Sequence, residues 1–169
     1  LPPSMLFTGH ADRAEGFTHE HEKRGDTVDS VVYDFQIVTP SEEIARYLSI
    51  DPEDFTYHIV RVRRSNGVPI VIEYTYMPIA LIPGLKKSHL YGSIYSYIKG
   101  ELGLKISSFH RTVRAVRATP EEAERLDCEP NDPLLELEQI GFLDSGTPFE
   151  YSRSRNVGDR YELHNISLA

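Results

Sequence analysis

The sequence predicts an α+β domain, one antiparallel sheet with flanking helices, built from a strand–helix–hairpin unit that occurs twice. Three observations predict it. The phrase TPSEEIARYLSI at 39–50 returns as TPEEAERLDCEP at 119–130. An alternating run precedes each copy, VVYDFQIV at 31–38 and RTVRAVRA at 111–118. An acidic, proline-containing loop follows each copy and leads into a hairpin with a matched turn, SNGVP or DSGTP. Alternation with period two marks strands. A supersecondary unit that recurs along one chain is expected to complete its core against its own copy.

The elements follow in chain order. The first thirty residues are polar and rich in His, Glu, Asp and Gly, and read as an irregular arm. Within it His19 and His21 have strand-like spacing beside Glu20 and Glu22, but no third fixed ligand accompanies them, so no metal and no cofactor is expected. After the 31–38 strand, Thr39, Pro40 and Glu42 form a T-x-x-E capping box for a short helix that buries Ile44 and Leu48. In the hairpin YHIVRVRRSNGVPIVIEY, a three-residue turn Ser65-Asn66-Gly67 pairs Val62 with Ile70 and Val60 with Ile72. That register places Val60, Val62, Ile70 and Ile72 on one face and Arg61, Arg63 and Glu73 on the other; a slip by one would bury charge. In SHLYGSIYSYIKGELGL, Leu90, Ile94, Ile98 and Leu102 have helical spacing, with Gly103 at the expected C-terminus. Thr119, Pro120 and Glu122 repeat the capping box. The same turn in the second hairpin sends Leu137, Leu143, Phe149 and Tyr151 to one face and Glu150, Ile140 and Phe142 to the other.

Composition limits the function. The 169 residues suffice for one core, and 40% hydrophobic with 26% charged residues is ordinary for a globular domain. A formal charge of −8 argues against this chain gripping a nucleic-acid backbone by itself. No apolar run approaches the roughly 18 residues of a membrane helix, and no signal peptide opens the chain. Leu1 rather than Met stands first, so a piece of a longer protein, or a processed one, is expected. The single cysteine, Cys128, reads as structural and suits a reducing cytoplasm.

Two arginines at i and i+2 on a strand, Arg61 and Arg63, point the same way about 7 Å apart. Planar guanidiniums suit a phosphate or a carboxylate. By spacing alone they equally fit a solvated face with Arg61 paired to an acid. Ser93 and Tyr95 stand at the start of the middle helix, where a hydroxyl can add to free N–H donors or simply cap the helix. Glu73 and Glu150 can act as acid–base groups or accept hydrogen bonds from a ligand's hydroxyls.

Together, R-V-R-x-S-N-G-V-P-I-x-x-E-Y-T-Y-M-P, S-I-Y-S-Y-I-x-x-E-L-G-L-K-I, T-P-E-E-A-E-x-L, G-T-P-F-E-Y-S-R-S and G-D-R-Y-E-L resemble the UTRA domain. This is the effector-binding domain of the HutC subfamily of GntR-type bacterial transcription regulators. The resemblance runs from about residue 15 to 163 and implies a fold like that of chorismate lyase. It implies an arm at 1–15 left from a linker, an effector-binding and dimerisation domain at 16–169, and an N-terminal winged helix-turn-helix domain that this chain lacks. A homodimer is implied, with operator DNA held only through that absent domain. In sugar-phosphate-responsive members, the positions matching Arg61, Arg63, Ser93, Tyr95 and Thr18 (of GFTHE) hold the phosphate. Those matching Glu73 and Glu150 read the sugar hydroxyls. Amino-sugar-responsive relatives often carry an aromatic residue where this chain has Arg155 and Asn156. The implied function is sensing a phosphorylated sugar, without catalysis; a chorismate-lyase-like enzyme acting on a small carboxylate is the alternative.

Overall fold

The computed structural model describes residues 7–10 and 16–169. The expected arm at 1–15 therefore lies outside the described residues, apart from β1 (Phe7–His10), which pairs in parallel with β8 (Tyr161–His164). The rest of the first thirty residues is more regular than expected. Helix α1 (Phe17–Lys23) carries His19 and His21, so their spacing is helical, and β2 (Val28–Val38) begins three residues before the alternating run. His21 explains why α1 forms there. Its ring is buried, packs at a tilt against Phe17 with centroids 4.0 Å apart, and meets Ser65 Oγ at 2.9 Å and Asp26 Oδ2 at 3.1 Å. A local pattern cannot show such a contact with a hairpin more than forty residues away.

The main sheet has six antiparallel strands in the order β2-β3-β4-β7-β6-β5, with β3 (Thr56–Ser65), β4 (Val68–Pro78), β5 (Ile106–Arg117), β6 (Pro133–Leu143) and β7 (Pro148–Val157). The two repeated units are thus two three-stranded meanders that meet back to back at β4 and β7. Helices α2 (Glu42–Leu48) and α4 (Pro120–Leu126) belong to the repeats. α4 starts with the expected box: Thr119 Oγ1 accepts from Glu122 N–H, and Glu122 accepts from Thr119 N–H, both at 3.1 Å. α2 starts differently. Its N-cap is Ser41, which accepts from Ile44 N–H at 3.3 Å, and it buries Ala45 and Leu48 while Ile44 stays half-buried. Structurally the repeat therefore aligns Ser41 with Thr119, Pro52 with Pro130 and Asp54 with Asp132. Both helices end alike, at Ser49 and Asp127 in the left-handed conformation, with Ile50 N–H reaching Ala45 O and Cys128 N–H reaching Ala123 O.

The hairpin registers correct the expected ones. Asn66 and Gly67, both at positive φ, make a two-residue turn, so Ser65 faces Val68. A bulge at Ile70 then shifts the pairing: Arg61 faces Glu73 and Val62 faces Ile72. The pairs differ from those expected by an even number of residues. Arg61, Arg63 and Glu73 therefore still share one face, and Val60, Val62 and Ile72 share the other. In the second hairpin a bulge at Phe149 leaves Gly141 opposite Glu150, Ile140 opposite Tyr151 and Leu137 opposite Ser154. Leu137 thus joins the face of Glu150, and Ile140 leaves it, the reverse of the expectation. A bulge adds one unpaired residue, and neither sequence alternation nor the turn motif reveals it.

Each face has its own core. Val60, Val62, Ile72, Leu126, Leu134 and Val157 pack beneath α4. On the other face Tyr57, Ile59, Met77, Leu90, Ile94, Ile98 and Phe149 pack beneath the segment between β4 and β5. That segment is not one helix. A 3-10 helix (Lys87–Tyr91) stops at Gly92, and Ser93 caps α3 (Ile94–Ser96), which widens into a π-helical turn (Tyr97–Glu101) before Gly103 at φ +64°. Leu90, Ile94 and Ile98 are buried as the spacing predicts; the break at Gly92 aims Ser93 and Tyr95 at the sheet. Among the described residues, no helix is long and apolar enough to cross a membrane.

Candidate functional site

Alternation on β3 and β4 sends Arg61, Arg63, Val71, Glu73, Thr75 and Met77 to the face not covered by α2 and α4. There they meet α1, α3 and the inner positions of β6 and β7 around one cavity. All seven residues singled out from the sequence line it: Thr18, Arg61, Arg63, Glu73, Ser93, Tyr95 and Glu150.

The arginine wall is tightly built. Arg61 is 6% exposed and Arg63 2%. One carboxylate oxygen serves both, with Arg61 Nε 3.3 Å and Arg63 Nη1 3.6 Å from Glu73 Oε1. Arg63 Nη2 donates to Thr18 Oγ1, and the guanidinium lies over the Phe17 ring, 5.0 Å from its centroid. Arg61 is more committed: its Nη1 donates to Leu90 O at 2.7 Å and Gly92 O at 2.9 Å, and so ties down the break before Ser93. The Nε–H groups of both arginines and Glu73 Oε1 are buried with no hydrogen-bond partner. Two guanidiniums against one carboxylate leave this wall with excess positive charge. Burial, with Arg61 close by, pulls Arg63 down to about 9.

The opposite wall is acid and amide. Glu150, 5% exposed, accepts from Tyr95 Oη at 2.5 Å. Burial pushes the Glu150 carboxyl up to about 7; Tyr95's hydrogen bond opposes the rise and the nearby Glu73 adds to it. Burial and Glu150 hold the Tyr95 hydroxyl well above its usual range. Ser93 lines the cavity, but its side chain accepts from Ser96 N–H at 3.2 Å, so it also caps α3. Gly16 lies so close to Tyr95 that a Cβ there would come within 2.9 Å of the ring.

Sequence reasoning missed Arg111, Gln139 and Asn156, which also line the cavity. Arg111 is one of several arginines on an edge strand that looks solvated, and no sequence signal separates it from the others. Gln139 and Asn156 were legible in principle, because they share a face with Leu137 and Glu150 once the bulge is known. Arg155 points the other way. It sits between two buried acids beneath α4, with Nη1 3.0 Å from Glu122 Oε1 and Nε 3.2 Å from Glu136 Oε1. Of the two positions that depart from amino-sugar-responsive relatives, only Asn156 reaches the cavity.

The chain is similar to known proteins in sequence and in fold. Residues 23–162 match the family model of the UTRA domain. The HTH-type transcriptional regulator GmuR of Bacillus subtilis is 43% identical over 141 residues, 83% of this chain and 60% of that protein. A GntR-family transcriptional regulator from Bacillus cereus superposes with a TM-score of 0.73 at 37% identity, covering 83% of this chain and 99% of that one. The effector domain of PhnF from Mycobacterium smegmatis, at 21% identity, shares the fold with a TM-score of 0.89 over 96% of this chain and 100% of its own. The chain spans about 60% of the length of the curated relatives it matches first.

Proposed function

The chain belongs to the UTRA domain family of GntR-type regulators, and on that premise we propose that it senses a phosphorylated sugar and relays its presence to operator DNA through a further domain. One observation carries the reading: two buried guanidiniums line the cavity and share a single carboxylate, so that wall holds excess positive charge. A dianionic phosphate supplies the missing negative charge and accepts from several donors at once. Thr18 and Ser93 add hydroxyls on the same side. Tyr95, a phosphate position in the resemblance, bonds Glu150, and across the cavity the two, with Glu73 between the walls, offer polar groups for sugar hydroxyls. Calorimetry with hexose phosphates and the unphosphorylated hexoses tests this. The phosphorylated forms bind at least about tenfold tighter; equal affinity for both forms refutes the reading.

Thr18 gives the signal a route. It rides on α1 and accepts from Arg63, the group a phosphate engages. A bound anion competes for or completes that bond, and so shifts α1 and the chain that leads into it. The shift is limited to the ligand's differential affinity for the two positions of α1. Hydrogen exchange across Gly16–His21 with and without ligand reads this directly, and unchanged protection counts against the route. In the full-length protein, a homodimer is expected to couple two such sites.

One observation favours turnover instead: a buried carboxyl with its pKa near 7 is what a general acid requires. Incubation with chorismate separates the two readings, because product formation that depends on Glu150 would make the chain an enzyme.

A further inference from the structure

The wall facing the arginines carries a chain of hydrogen bonds that ends on Glu150. Arg111 Nε lies 2.9 Å from Gln139 Oε1, Gln139 Nε2 lies 3.4 Å from Tyr95 Oη, and Tyr95 Oη lies 2.5 Å from Glu150 Oε2. With Glu150 ionised, only one direction of donation is open to it. A guanidinium has no acceptor, so Gln139 must present its carbonyl to Arg111. Its amide nitrogen then donates toward Tyr95, whose single hydrogen goes to Glu150. The orientation of the amide follows from the network, as it must for any Gln.

We infer that Gln139 is a positioning residue that sets specificity: acting through Tyr95, it fixes Glu150 as an acceptor, so the cavity favours an effector that places a hydroxyl there. The inference rests on the sugar-phosphate reading. Its physical basis is that Gln accepts at one end and donates at the other. In the first half of the sheet the equivalent position is Arg61, and an arginine at 139 could not accept from Arg111. The charged and titratable groups facing Glu150 are Glu73 on β4, Arg61 on β3, Arg111 on β5 and Tyr95 on α3. Gln139 is the neutral link that joins two of them.

The test is calorimetry on the domain with glucose 6-phosphate, mannose 6-phosphate, glucosamine 6-phosphate and inorganic phosphate. The quantity read is the ratio of affinities for the best hexose phosphate and for inorganic phosphate, measured from pH 5 to 8. Gln139→Leu is expected to lower this ratio about tenfold while phosphate affinity stays within about twofold, the loss expected for one hydrogen bond to a charged group. Gln139→Glu keeps the shape and still accepts from Arg111 but cannot donate to Tyr95, so it is expected to behave like Gln139→Leu. In both variants the pH midpoint of the ratio moves: up in Gln139→Leu, where Tyr95 holds the Glu150 anion less firmly. A residue that only packs would lower thermal stability and leave the midpoint in place. If both variants keep the wild-type ratio and midpoint, the inference is overturned while the sugar-phosphate reading stands. If the wild type binds no hexose phosphate better than inorganic phosphate, that reading fails and takes the inference with it.

Discussion

The two halves of the sheet follow one backbone plan and hang different chemistry on it. Pro69 and Pro148 occupy the same place in their hairpins, each followed by a bulged residue, Ile70 or Phe149. Counting from them, Val71 corresponds to Glu150, Thr75 to Ser154 and Met77 to Asn156. On the facing strands Arg61 corresponds to Gln139 and Arg63 to Gly141. The cavity straddles the junction of the halves, so at these equivalent positions one contributes two guanidiniums and the other an amide, a carboxyl and open space, with Glu73 and Arg111 added from outside the matched set. A duplicated scaffold makes an asymmetric site because equivalent inward positions differ while the backbone does not. The same contrast holds on the far face, where buried Glu122 on α4 corresponds to half-buried Ile44 on α2. Burial raises the Glu122 carboxyl, but Tyr74, Thr119 N–H and Arg155 outweigh it and hold the group below its usual range.

That far-face contrast predicts the largest effect. Glu122→Ala removes a buried carboxylate, leaves half-buried Tyr74 without its acceptor and leaves Arg155 with Glu136 alone, and is expected to cost about 3 kcal/mol. Ile44→Ala is expected to cost about 1 kcal/mol, because less apolar surface is lost there. Denaturant unfolding of the two variants checks the contrast, and equal losses would mean the halves are anchored alike.

Glu150 against Val71 comes next, because only one of the pair titrates. Glu150's folded pKa of about 7 stands above its ordinary 4.5, so the folded state holds the proton more tightly. The resulting stability is fully present below about pH 4.5 and is lost as pH rises through 7, about 3 kcal/mol in all. His21, pulled down to about 4 by burial, works in the opposite sense below its ordinary 6.5. The difference between wild type and Glu150→Gln isolates the carboxyl: in melts of both from about pH 4.5 to 8, the wild type should lose stability relative to the variant as pH rises, while the His21 contribution cancels in the difference.

Arg63 against Gly141 separates binding from packing. Arg63→Ala is expected to weaken sugar-phosphate binding by about 1.5–3 kcal/mol with the fold intact. Gly141→Ala pushes a methyl to within 2.7 Å of Phe149 and 2.9 Å of Phe109, and is expected to cost about 1–3 kcal/mol of stability instead. Arg61→Ala should do both, because it also releases the carbonyls of Leu90 and Gly92. Calorimetry and melting on the three variants give the pattern.

The smallest contrast is in the caps. Thr119→Ala breaks a reciprocal box and is expected to cost about 1 kcal/mol, while Ser41→Ala breaks one 3.3 Å bond and is expected to cost about half that. Urea midpoints resolve the difference.

What the sequence made legible was parity. Arg61, Arg63 and Glu73 were placed on one face although the pairs assigned to them were wrong, because the true register differs by an even step. The same reasoning failed for Leu137 and Ile140, where the error was odd. Thr39 reads as the cap because TP recurs at 119, yet Ser41 caps α2. The better signal was the spacing to Pro52 and Pro130, which aligns SEEIA with TPEEA. Arg111 stayed hidden because its neighbour Gln139 is set by pairing across strands, a relation between distant segments that local pattern does not carry. The family likeness supplied Thr18, Ser93 and Tyr95 as site positions, which spacing alone left as a loop residue, a cap and a packing ring.

The two bulges give each hairpin one residue of slack. Deleting Ile70 would restore unbroken pairing with Arg64 still opposite Pro69 and Arg63 still opposite Val71, so Arg61 and Glu73 would stay paired on the cavity face. Deleting Phe149 would likewise leave Glu150 opposite Gly141, though it would remove a buried ring from the core. Each half can therefore absorb many point substitutions at its inward positions and take on new ligand chemistry. A codon lost at a bulge trims the hairpin without turning it, whereas one lost from the middle of a paired run turns the residues beyond it to the other face.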